Sequence, residues 1–153
     1  MSKAFTREDE EGVEDLPDRP ISPHRNLVTA EGLAEIEENL RNLREEEIAA
    51  EREGDTAKLA RIARDQRYWQ ARLQTAEVVP PPADTDEVRF GSTVTVRAPD
   101  GTERTWRIVG EDEADPGRGT ISYVSPVAQA LLGGKVGEVV EAGPGEWEIL
   151  KIS

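Results

Sequence analysis

Few residues in this 153-residue chain can make or break a bond. It has no cysteine and a single histidine, His24. Disulfides, thiolate nucleophiles and zinc-thiolate sites are thereby excluded, and so is the usual pairing of a nucleophile with an imidazole base. His24 lies in an acidic, proline-punctuated stretch and reads as a linker residue rather than a ligand. Gly133-Gly134-Lys135-Val136 lacks the spacing and the Ser or Thr of a phosphate-binding loop. Asp112-Glu113-Ala114-Asp115 lacks the alternating ligands, central glycine and closing glutamate of a calcium loop. The chain is therefore expected to carry no catalytic residue, metal or cofactor of its own, and to act by binding rather than as an enzyme.

Charge dominates what remains. Glu53, Asp55 and Lys58 surround Gly54, with Glu51 nearby as a further carboxylate. Arg61, Arg64 and Arg67 recur every three residues, a spacing that suits either contact with RNA or an ordinary solvated helix face. Asp112, Glu113 and Asp115 run into the rigid turn Pro116-Gly117. The formal net charge of −13 argues against binding duplex DNA through its phosphates, which are neutralised by clustered Lys and Arg. A basic protein surface is the better match, because complementary fields speed encounter. Neither a secretory signal nor a membrane-length apolar run is legible, so the expected location is cytoplasmic.

The elements that must position these groups follow from patterning. Residues 1–27 hold seven acids from Glu8 to Asp18, punctuated by Pro17, Pro20 and Pro23, which predicts a disordered acidic tail. Residues 28–79 predict an antiparallel coiled-coil hairpin. Thr29 is a plausible helix cap, and Leu33, Ile36, Leu40 and Leu43 step by three and four. After a break at Gly54-Asp55 the seam resumes with Leu59, Ile62, Gln66, Trp69, Leu73 and Ala76. Leu33 and Ala76, Ile36 and Leu73, Leu40 and Trp69, and Ala50 and Leu59 are equidistant from a point between Gly54 and Asp55, as an antiparallel register requires. Arms of about 22 residues would project roughly 33 Å. Glu47 and Ala50 predict looser packing toward the turn.

Pro80, Pro81 and Pro82 end the second helix and open a linker over residues 80–87. Residues 88–153 alternate as strands do, around Thr93–Val96, Arg104–Val109, Thr120–Val124, Glu138–Glu141 and Glu146–Leu150. Asp100-Gly101 is a hairpin-turn signal, and Pro126 to Leu132 is a short helix stopped by Gly133-Gly134. Trp106 and Trp147 read as core residues of a small sheet. The expected fold class is α+β.

Two stretches resemble the GreA/GreB transcript-elongation family. Phe90-Gly91-Ser92-Thr93-Val94-Thr95-Val96, the run from Arg107-Ile108-Val109-Gly110-Glu111-Asp112-Glu113-Ala114-Asp115 to Pro116, Ser125-Pro126 and Ala130-Leu131-Leu132-Gly133 are similar to its C-terminal domain. Thr29 to Leu43 and Thr75 to Val78 resemble the two ends of its N-terminal hairpin. The resemblance implies an FKBP-like C-terminal domain docked on RNA polymerase at the rim of the secondary channel, with the hairpin entering the channel. It implies Asp112, Glu113, Asp115, Pro116, Ser125 and Pro126 as docking residues, and contact of the hairpin with the RNA 3′ end.

At the tip the pattern departs. Cleavage-stimulating members resemble one another in Gly-Asp-Leu-Ser-Glu-Asn-Ala-Glu, whose aspartate and first glutamate help hold magnesium in the polymerase active site. Here the run is Gly54-Asp55-Thr56-Ala57-Lys58-Leu59-Ala60-Arg61, with Lys58 in place of the glutamate. Magnesium favours carboxylate oxygens, and an adjacent ammonium raises the cost of placing it there. The arms are also about two helical turns shorter than the family's. The expectation is a regulator that occupies the channel without strong cleavage stimulation. The alternatives are a cleavage factor that positions Mg2+ and, on fold alone, a peptidyl-prolyl isomerase.

Overall fold

The computed structural model describes residues 16–143 and 145–153. The chain divides into two compact units, one holding residues 16–23 with Ala34–Thr75, the other His24–Leu33 with Ala76–Ser153.

The first unit is built on two helices, α1 (Ala30–Glu53), whose first turn belongs to the other unit, and α2 (Thr56–Thr75). They are joined where the sequence breaks its seam. Gly54 adopts φ +67°, a left-handed conformation that glycine reaches without a Cβ clash, and its N–H donates to Glu51 O at 3.2 Å. Asp55 then starts α2, its Oδ1 accepting from Lys58 N at 3.0 Å.

Ile36, Ala50, Ala60 and Ile62 are buried. Toward the turn, where looser packing is expected, Ala50 and Ala60 are buried while residues 51–57 are exposed. At the other end the seam drifts. Leu73, expected inside, is 37% exposed, and neighbouring Arg72 is buried. An α-helix rotates about 20° per heptad away from a strict 3.5-residue repeat, which turns Leu73 toward the edge of a seam counted from Leu59 and does not account for the burial of Arg72.

In the second unit β1 (Leu27–Val28) pairs in parallel with β2 (Glu77–Val78), through Glu77 N to Asn26 O at 2.8 Å and Val79 N to Val28 O at 2.9 Å. A five-stranded sheet follows, of β3 (Thr93–Arg97), β4 (Glu103–Val109), β5 (Thr120–Ser122), β6 (Val139–Ala142) and β7 (Gly145–Ile152), in the order β5-β4-β3-β7-β6. Only β4 and β5 run parallel. The β3–β4 hairpin closes at Asp100-Gly101, with Gly101 at φ +90° and Ala98 N bonded to Thr102 O at 2.8 Å. Asp100 accepts from Thr102 N, which lowers its carboxyl pKa.

One face of the sheet carries Val94, Val96, Ile108, Ile121, Ile149 and Ile152, packed with Ala128 and Leu131 of α3 (Pro126–Leu131). Trp106 and Trp147 pack against this core and meet edge to face at 5.3 Å. The opposite face is polar, with Thr95 hydrogen-bonded to Thr105 at 3.1 Å and Arg97 paired with Glu148 at 3.0 Å.

The disordered tail expected over residues 1–27 is only partly testable, because residues 1–15 lie outside the described residues. From residue 16 onward the structure differs from that expectation. Residues 16–23 pack on α2, and Leu27–Val28 is a strand. Proline-rich sequence can be ordered without a core of its own when charged and aromatic side chains hold it. Residues 80–87 contain no helix or strand.

Candidate functional site

The acidic segment after β4 divides into two parts with different jobs. Glu113 turns inward. Its Oε2 accepts from Thr29 N at 2.9 Å and Gly110 N at 3.1 Å, and its Oε1 accepts from the Thr29 hydroxyl. Thr29 in turn caps α1, its Oγ1 accepting from Gly32 N at 3.0 Å. A Cβ added at Gly32 would overlap the Glu113 carboxylate. Glu113 thus places a negative charge at a helix N-terminus, where the helix dipole and unpaired N–H groups favour it. Glu31 in the same first turn has a carboxyl pKa lowered by its own backbone N–H and then by Arg107, 3.5 Å away. Of the expected docking residues, Glu113 is therefore a fastener whose oxygens are already committed.

Asp115 and Pro116 are exposed. Asp115 Oδ1 accepts from Gly117 N at 3.2 Å, its backbone N–H donates to Thr120 Oγ1 at 2.7 Å, and Pro116 opens the 3-10 turn Pro116–Arg118. The turn is held by the chain itself, and Asp115 Oδ2 lies 3.6 Å from the exposed Arg118 guanidinium. Asp112 is half-buried.

Ser125 is likewise committed, its Oγ accepting from Ala128 N at 3.2 Å as the cap of α3, while Pro126 at the first helical position is exposed. Because β4 and β5 are parallel, Gly110–Glu113 and Tyr123–Pro126 leave the sheet at the same end. Asp115 has by then run back to the start of β5, where its carbonyl accepts from Thr120 N at 3.2 Å.

At the hairpin tip Glu53 and Asp55 are exposed and Lys58 is half-buried. Asp55 spends one oxygen on the α2 cap. Among the described residues no three acids or histidines converge as metal ligands, so Glu51, Glu53 and Asp55 form no preassembled magnesium site. The arginine stripe is also divided. Lys58, Arg61 and Arg64 line an open groove of about 370 Å³ floored by Leu43 and Ile62. Arg67 is taken by the N-terminal segment, donating to Asp18 Oδ1 at 2.6 Å and to Leu16 O at 3.4 Å. Arg19 of that segment lies 3.9 Å over the Tyr68 ring. The sequence signal for this contact was a proline-flanked Arg19 and the adjacent pair Tyr68-Trp69 in a helix otherwise without aromatics.

With this geometry in hand, comparison with known proteins is specific. The profile of the family described as "Transcription elongation factor, GreA/GreB, C-term" matches residues 83–153. Transcription elongation factor GreA of Chloroflexus aggregans is 39% identical over 71% of this chain and 82% of its own length. The protein of the same name from Paracoccus denitrificans is 38% identical over 82% of this chain and 95% of its own length. The solved structure of the GreA factor homolog 1 (Gfh1) protein of Thermus thermophilus covers 85% of this chain and 99% of its own, at 21% identity and a TM-score of 0.42.

Proposed function

The chain belongs to the GreA/GreB family, and from that premise we propose that it binds RNA polymerase at the secondary-channel rim and regulates elongation without strongly stimulating transcript cleavage. Its relatives are named transcription elongation factors, and the family profile falls on the sheet unit. Docking is assigned to the exposed Asp115-Pro116 turn with Asp112 and Pro126. A self-braced acidic turn loses little entropy when it meets a basic helical surface, and the pairing speeds encounter at low salt. Glu113 and Ser125 spend their oxygens on Thr29, Gly110 and Ala128 instead.

The observation that carries the non-cleaving half of the reading is the tip. Asp55 is the single carboxylate kept from the family's pair, it caps α2, and Lys58 stands one turn away where the second acid would be. One carboxylate beside an ammonium is a poor magnesium ligand set. The hairpin would instead act by occupancy, altering pausing or excluding other channel factors, with Lys58, Arg61 and Arg64 near the RNA 3′ end. The cleavage-factor reading keeps one observation in its favour, the exposure of Asp55 and Glu53.

Binding is tested with the full chain against purified polymerase. Reversing charge in Asp112→Lys together with Asp115→Lys should weaken binding, most at low ionic strength. Unchanged affinity in a variant that remains folded would refute the docking assignment.

A further inference from the structure

Residues 16–23 hold Pro17, Pro20 and Pro23 and form neither helix nor strand. Prolines pre-set φ near the polyproline value, so such a segment loses little entropy on being laid against a surface. Its contacts on α2 are specific. The Arg19 guanidinium sits 3.9 Å from the Tyr68 ring centre and 5.8 Å from that of Trp69, while the two rings meet edge to face at 5.0 Å. Arg19 Nη1 is 3.4 Å from Asp65 Oδ1. One residue earlier the charges exchange sides, Asp18 accepting from Arg67 at 2.6 Å. The strap thus offers an acid and a base in sequence, and the helix answers with Arg67 and Asp65 around an aromatic centre.

From these contacts we infer that the Tyr68–Trp69 face of α2, with Asp65 and Arg67 beside it, is a docking site for an extended Asp-Arg-Pro segment, that residues 16–23 fill it in cis, and that their release frees Arg67 from Asp18 and uncovers the aromatic pair for the hairpin's partner. The closed state is held weakly enough to be displaced. Asp18 is 71% exposed and Arg67 46%, so their pairing is screened by salt and contributes little. Pairing with Asp18 engages one of the three arginines of the stripe until the strap leaves. This part rests on the reading that the hairpin acts on polymerase.

The absence of cysteine allows a clean test. Ile21 is 50% exposed, and Ile21→Cys in the full chain accepts a nitroxide whose mobility reports the strap. The label should be immobilised at low salt, freed by Asp18→Ala with Arg19→Ala, and immobilised again by the charge exchange Asp18→Arg with Arg67→Asp. Without the label, the Asp18→Ala/Arg19→Ala chain should bind polymerase ~fivefold more tightly, as expected for a site open about one-fifth of the time. A label equally immobile in the double-alanine chain would overturn the docking site. A freed label with unchanged or weaker affinity would overturn its role as a cover. If neither chain bound polymerase, the functional reading would fall and the cover role with it, while the label alone would still decide the docking site.

Discussion

Two carboxylates stand at the starts of the two long helices, and they do opposite things. Glu113 reaches α1 from a loop 84 residues further along the chain, accepts from both Thr29 donors and from Gly110 N, and is half-buried. Asp55 caps α2 from within its own turn, accepts from one N–H three residues away and is exposed. Both use the same affinity of a carboxylate for a helix N-terminus. The partners differ in sequence separation and in access to water. The first arrangement ties distant segments of the sheet unit together, and the second leaves a charge free to be presented. An acidic residue's family position is thus a weak guide to its role until its oxygens are accounted for.

The comparison can be broken at either end. Glu113→Ala leaves three donors without their acceptor and should cost about 3 kcal/mol in urea unfolding, since hydrogen bonds to charged groups carry about 1.5–3 kcal/mol each and water recovers part of the loss. Gly32→Ala should cost about 1–3 kcal/mol, because its Cβ would drive into that carboxylate. Most of that cost should vanish in the Glu113→Ala background, and simple additivity in the double-mutant cycle would contradict the contact.

Asp55→Ala should cost only about 0.5–1 kcal/mol, the value of an exposed cap. A loss as large as that at Glu113 would mean that the tip is not the open element described here. The smallest effect is expected at the exposed pair Arg25–Glu77, 2.6 Å apart. The hydrogen bond from Arg25 holds the Glu77 carboxyl below its ordinary 4.5. A depressed folded pKa gives stability that is present above 4.5 and disappears as pH falls through the lowered value. The small difference between the natural chain and Glu77→Gln should therefore be seen near neutrality and be gone in strong acid.

Much of the sheet unit was legible because its signals are local. Alternation marked β3, β4, β6 and β7 to within a few residues, Asp100-Gly101 marked a hairpin, and Pro126 marked the start of α3. The turn at Gly54-Asp55 was legible from the mirrored spacing of two apolar series. The β1–β2 ladder was not, since two paired residues produce no periodicity. Nor was the strap, whose charged and aromatic partners lie about fifty positions away. Gly32 carries a further hint. Glycine in a helix costs about 1 kcal/mol relative to alanine, so its presence in the first turn of α1 asks for something close by, and that something is Glu113.

The central claim, occupancy of the polymerase channel without cleavage, is tested most directly by adding the purified chain to backtracked elongation complexes, with and without a cleavage-active GreA. The account predicts little RNA cleavage by this chain alone and dose-dependent suppression of the cleavage GreA induces. Robust cleavage by the unmodified chain, lost in Asp55→Ala, would contradict it.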